Sequence, residues 1–118
     1  GVAEIIMTPE QQRIAIGKAC GFEPFSKPES AFGSWFTPDT PKNRREWTQS
    51  TVLPDYLNDL NAMYRAENTL SEQQRSMFLY LLHGENVTDK IWNLVHTSAA
   101  QRAEAFLRAL NLWNTENT

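Results

Sequence analysis

Apolar residues recur at three- and four-residue steps in four stretches of this chain and alternate in short runs between them, a pattern that predicts helices with a small sheet. The last stretch is the clearest. A helix is expected over residues 99–113, with Ala103, Phe106, Leu107, Leu110 and Trp113 on one face and Gln101, Arg102, Glu104 and Arg108 elsewhere. A helix over residues 55–68 carries the stripe Leu57, Leu60 and Tyr64, flanked by Leu53 and Met63. Residues 72–83 bury Phe78, Leu81 and Leu82 and stop at Gly84. Residues 9–20 gather Ile14, Ala15, Ala19 and Cys20 toward one face and end at Gly21, which accepts the left-handed conformation that closes a helix.

Three helix starts are written into the side chains themselves. Thr8, Ser71 and Ser98 are each followed three residues later by Gln, at positions 11, 74 and 101. A hydroxyl there accepts from the backbone N–H of the third helical residue while the Gln amide oxygen accepts from the cap's own N–H, so two orphan donors are satisfied together. Pro9 at the first helical position loses nothing by lacking an N–H, and Glu10 and Glu72 place carboxylates at the positive end of the helix dipole. The strings EQQR at 10–13 and 72–75 match for this reason; the likeness ends on either side, which is convergent capping rather than duplication.

Between the first and second helices, residues 22–54 hold five of the six prolines, which excludes a helix. Short strands are expected over residues 31–36 and 44–49, joined by the turn-rich stretch 37–43. Residues 91–96 admit two readings. Ile91 and Val95 fit one face of a short helix, but the run is β-rich and brief, and a strand is preferred. The sum is an α+β domain with a small antiparallel sheet of about three short strands and about four helices. Residues 8–113 form the single domain, residues 1–7 an N-terminal extension, and residues 114–118 a polar tail that frays; Met7-Thr8-Pro9 reads as a natural start.

Composition narrows the function classes. The 118 residues suffice for one core without metal or disulfide staples, and the single cysteine, Cys20, has no partner for an internal disulfide; a buried small hydrophobe is its usual role. A net charge of −3 argues against a protein devoted to the phosphate backbone. No apolar run approaches the length of a membrane span, so no membrane association and a cytoplasmic location are expected.

Candidate chemistry is sparse. His83 and His96, with Glu85 and Cys20 the nearest co-ligands by type, have none of the spacing of a zinc or iron site. The glycines at 1, 17, 21, 33 and 84 form no phosphate cradle, and no Ser or Thr sits in a nucleophile elbow. Asp55 and Asp59 fall one helical turn apart and suit a solvated, dipole-favouring pair better than a cation site. Neither catalytic residues, nor a metal, nor a cofactor is expected. One patch has the character of a ligand site: Arg44, Arg45 and Trp47 within residues 42–47, with Trp35 adjacent across the hairpin. Arg forks bind phosphate or carboxylate, and aromatic faces stack on bases. The competing reading puts Trp35 and Trp47 in the core of a half-buried sheet, where aromatics ordinarily lie, and the basic run in a solvated loop.

Two strings go beyond pattern: LPDYLNDLNAMYRAE at 53–67 and TSAAQRAEAFLRALNLW at 97–113. With Cys20-Gly21-Phe22 closing the first helix, they resemble the small phage and prophage proteins of the phage ABA sandwich family. The resemblance implies a sheet covered by helices on both faces, an α/β/α sandwich-like arrangement, and a bacterial host cell. No established activity comes with that family. Its members often carry His after the DLNAM string; here the residue is Tyr64, so no role for that imidazole carries over. The leading expectation is a non-enzymatic phage or prophage accessory protein that binds a host or phage protein. The second is capture of a small anionic ligand or nucleotide by the basic and aromatic patch; nucleic acid itself ranks below both.

Overall fold

A computed structural model describes residues 7–25, 29–38, 50–83 and 95–113. In chain order these contain α1 (Pro9–Ala19), β1 (Glu23–Pro24), β2 (Trp35–Phe36), β3 (Ser50–Thr51), α2 (Leu60–Glu67), α3 (Glu72–His83) and α4 (Ala99–Ala109). The fold is α+β, with four helices and a small antiparallel sheet among the described residues, as the hydrophobic pattern indicates.

All three capping boxes form. The Gln N–H to hydroxyl distances are 3.1, 3.2 and 3.1 Å at Thr8, Ser71 and Ser98, and the return bonds to the Gln oxygens are 2.9, 2.8 and 2.8 Å. The far end of α4 is closed as economically. Asn111 takes a positive φ of 59°, its N–H donates to Arg108 O at 3.1 Å, and Leu112 N–H donates to Leu107 O at 2.7 Å, the paired bonds of a Schellman stop. The helix therefore ends at Ala109 rather than continuing to Trp113, which folds back half-buried against the core.

The helices make one core among themselves. Ile16 of α1, Met63 and Ala66 of α2, Phe78 of α3, and Ala103, Phe106 and Leu107 of α4 belong to one buried cluster, with α4 in contact with the other three helices. Phe106 and Leu107 thus lie in the helical core and not against the sheet, and Leu110 is only half-buried. Met7 packs on the same cluster, and its carbonyl accepts from Gln12 Nε2 at 3.1 Å, so that residue belongs to the domain rather than to an extension.

Three expected faces are corrected. On α2 the buried residues are Ala62, Met63 and Ala66, while Leu60 and Tyr64 are exposed. On α1 the buried residues are Gln12, Ile16 and Gly17, and Ala19 is exposed. On α3 Leu81 is exposed, although Phe78 is buried. On α1 a small residue decides the face, because a glycine lets another segment approach the helix closely. Gly17 shows it directly, since a Cβ there would lie 2.6 Å from Leu53 Cδ2.

α2 also starts later than periodicity suggests. Asp55 accepts from the Asn58 amide at 3.1 Å, and Asp59 accepts from Asn61 N–H at 3.0 Å, so residues 55–58 form a turn and Asp59 is the cap. Short Asp and Asn side chains compete for backbone donors in this way.

The sheet has strand order β1-β2-β3, antiparallel throughout, with Pro24 opposite Trp35 and Trp35 opposite Thr51. Successive strand side chains point to opposite faces. Trp35 and Phe36 are both buried, so both faces of the sheet are covered at β2. The strand expected over 31–36 is confined to its last two residues, because Ser30 turns the chain: its carbonyl accepts from Gly33 N–H at 3.1 Å and its hydroxyl from Phe32 N–H at 3.2 Å. β1 was not expected. The 44–49 candidate lies outside the described residues, immediately before β3. Val95 and His96 are helical, which corrects the end of the strand expected over 91–96; residues 91–94 are outside the described set.

Ser98→Ala should cost about 1 kcal/mol in a urea melt, because the Gln101 N–H loses its hydroxyl partner at the start of α4. Phe106→Ala should cost about 3–5 kcal/mol through lost transfer energy and the cavity left behind.

Candidate functional site

Trp35 is a core residue. It is 1 % exposed, packed with Ala31, Leu53 and Ile14, and its Nε1–H donates to Ser30 O at 2.7 Å. A ring with no free face cannot stack on a ligand, so Trp35 is withdrawn from the expected patch. Arg44, Arg45 and Trp47 lie outside the described residues. The carboxylates of Asp55 and Asp59 do not share a helical face, each being spent on the local bonds given above. No group of three or more His, Cys, Asp or Glu is placed to hold a metal ion among the described residues, and no described helix is long and apolar enough to cross a membrane.

The structure instead brings three features together. The first is polar and lies between α2 and α4. Arg102 of α4 is 8 % exposed, contrary to its expected place on the outer face, because Glu67 of α2 meets it at 3.4 Å and the Tyr64 ring lies under its guanidinium at 5.1 Å. Glu67 Oε2 is buried without a hydrogen-bond partner. Burial raises the Glu67 carboxyl above the ordinary carboxylate range, and the Arg102 charge opposes this without cancelling it.

The second is a chamber of about 390 Å³ between the end of α1, the Pro54–Tyr56 turn and α2. Gly21, at φ +100°, lets the chain reverse closely enough that a Cβ there would sit 3.2 Å from Pro38 Cβ. Cys20, Tyr56 and Thr69 line it, and the Thr69 hydroxyl donates to Ala66 O at 2.7 Å. Burial pushes the Cys20 thiol up, and burial together with the neighbouring thiol pushes the Tyr56 phenol far above its ordinary range. Both stay protonated at neutral pH.

The third is a groove between α3 and α4, made of two adjoining concavities of about 500 and 600 Å³ that share Leu81 and Arg108. Met77 and Leu81 of α3 stand in it, 49 % and 39 % exposed, with Leu110 at one end. The rim is polar: Gln73, Gln74, Gln101 and the Glu104–Arg108 ion pair at 2.9 Å.

Cys20-Gly21-Phe22 marked one wall of the chamber in the sequence, but the opposite wall comes from residues more than thirty positions away. The groove had a clearer signal. Met77, Tyr80 and Leu81 at steps of three and four form a second apolar stripe on α3 beside the one headed by Phe78. No family model matches the chain, and no curated protein or solved structure matches it either.

A carboxyl whose folded pKa is raised adds stability fully below the ordinary carboxylate range, and that stability is lost as pH rises through the raised value. Native protein should therefore lose stability relative to Glu67→Gln as pH rises above the ordinary carboxylate range. Urea melts at close pH intervals check this; a constant difference between the two proteins would contradict the raised carboxyl.

Proposed function

We propose that this chain is a non-enzymatic binding protein whose working surface is the α3–α4 groove and whose partner is another protein. The observation that carries the reading is the second stripe on α3. Met77 and Leu81 line the groove and stay exposed, while Phe78, beside them on the same helix, is buried in the core. Apolar side chains gathered in a concavity and rimmed by amides and a single ion pair have the composition of a protein-recognition surface, where a buried apolar centre supplies affinity and a polar rim supplies register.

Two features support binding over catalysis. The Cys20 thiol is held protonated by burial, which suppresses its nucleophilicity. The Glu67 carboxylate is engaged by Arg102 rather than aimed into a cavity. The phage or prophage setting, with a host or phage protein as partner in the bacterial cytoplasm, rests on the likeness of the two strings alone.

Placing a photo-crosslinking amino acid at position 77 tests the reading in lysates of lysogenic and uninfected bacteria. We expect one discrete adduct, lost in a variant carrying Leu81→Glu, with melting changed by no more than about 1 kcal/mol because Leu81 is exposed. An adduct of twice the chain mass would mark the groove as a self-association surface, and the absence of any adduct would overturn it as a working surface.

A further inference from the structure

The chamber beside Cys20 is independent of the α3–α4 groove and has a different chemistry. Phe22, Pro38, Pro54 and Tyr56 supply flat, rigid apolar walls, and Ala62 and Ala66 leave its floor on α2 unfilled. Its volume, about 390 Å³, lies within the range of small-molecule sites and suits a body of one or two rings. Polar groups occur at two places only. The Cys20 thiol and the Tyr56 and Thr69 hydroxyls form one cluster, and Arg65, in the last turn of α2, is exposed at the rim.

The charge at that rim is one-sided. Among the described residues, no carboxylate lines the chamber and no acidic side chain pairs with Arg65. An Arg guanidinium presents a planar fork that matches a carboxylate bidentately. We propose that the chamber binds a small planar aromatic carboxylate, with its ring between the proline and aromatic walls and its carboxylate on Arg65. The thiol and phenol favour this occupant further: protonated, they add no negative charge to repel an anion, and they can donate hydrogen bonds to a ring heteroatom.

The probes are benzoate and indole-3-carboxylate, each beside its neutral amide, titrated into the full chain and followed by NMR or calorimetry. The proposal expects saturable binding of at least one acid, about tenfold weaker binding of its amide, and a similar loss in Arg65→Ala, where acid and amide become equal. It also expects the bound acid to slow maleimide labelling of Cys20, because ring and reagent compete for the same space. Ala66→Leu fills the floor and should abolish binding while the fold is retained. If that variant does not fold, Cys20 protection in the native chain decides the location. Absence of saturable binding by either acid, equal affinity for acid and amide in the native chain, or binding that leaves Cys20 labelling unchanged would each overturn the proposal.

Discussion

The rest of the structure depends on how α1 is fastened to the short segment that precedes α2. Arg13 donates from Nε to Pro54 O at 2.8 Å and from a second nitrogen to Leu53 O, while one turn later Gly17 leaves room for the Leu53 side chain. This single segment therefore satisfies a guanidinium with two carbonyls and inserts a leucine against a helix backbone. Both cores meet there. Ile16 belongs to the helical cluster, Leu53 and Trp35 to the sheet cluster, and Ile14 packs on the latter. Without that joint the sheet, only two residues long in each described strand, would have too little burial of its own to persist. A side chain at position 17 would force Leu53 aside and open the joint from within.

α4 plays the complementary part for the helices. Its alanines at 99, 103 and 105 are buried and spend almost no side-chain entropy on folding, while Phe106 and Leu107 fill the volume between its neighbours. Arg102 is the exception on that face. It is accommodated by a carboxylate and an aromatic ring that both come from α2, so the pair of helices is held in one relative register by a contact that sliding would break. Buried pairs of this kind return little net stability, but removing one partner alone leaves an uncompensated charge and is costly.

Helix starts were legible because a capping box is settled within four residues and needs nothing from elsewhere. Faces were legible only where large residues dominated. The α4 face was read from Phe106 and Leu107, but on α2 the leucine and tyrosine suggested a buried stripe that the structure gives to Ala62, Met63 and Ala66. Periodicity locates a stripe; it does not say which of two stripes finds a partner. Arg102 was misplaced for the same reason, since only the arrival of Glu67 and Tyr64 makes its burial tolerable. Of the candidate site, Trp35 carried a real signal of burial that was open to two readings, and the packing of Ala31, Leu53 and Ile14 around its ring settles the choice. The chamber was illegible as a whole, because it is a volume left between the end of α1, a turn and α2 rather than a motif in any one of them.

Pro24 has a consequence at the margin of the sheet. Phe25 donates to Ser34 across the ladder, so its neighbour at 24 directs its own backbone nitrogen away from β2, toward the outer edge of the sheet among the described residues. A proline nitrogen bears no hydrogen. A strand arriving from another molecule would find at that point no donor to pair with and a ring in its path, so growth of the sheet by addition along β1 is blocked at its first hydrogen bond.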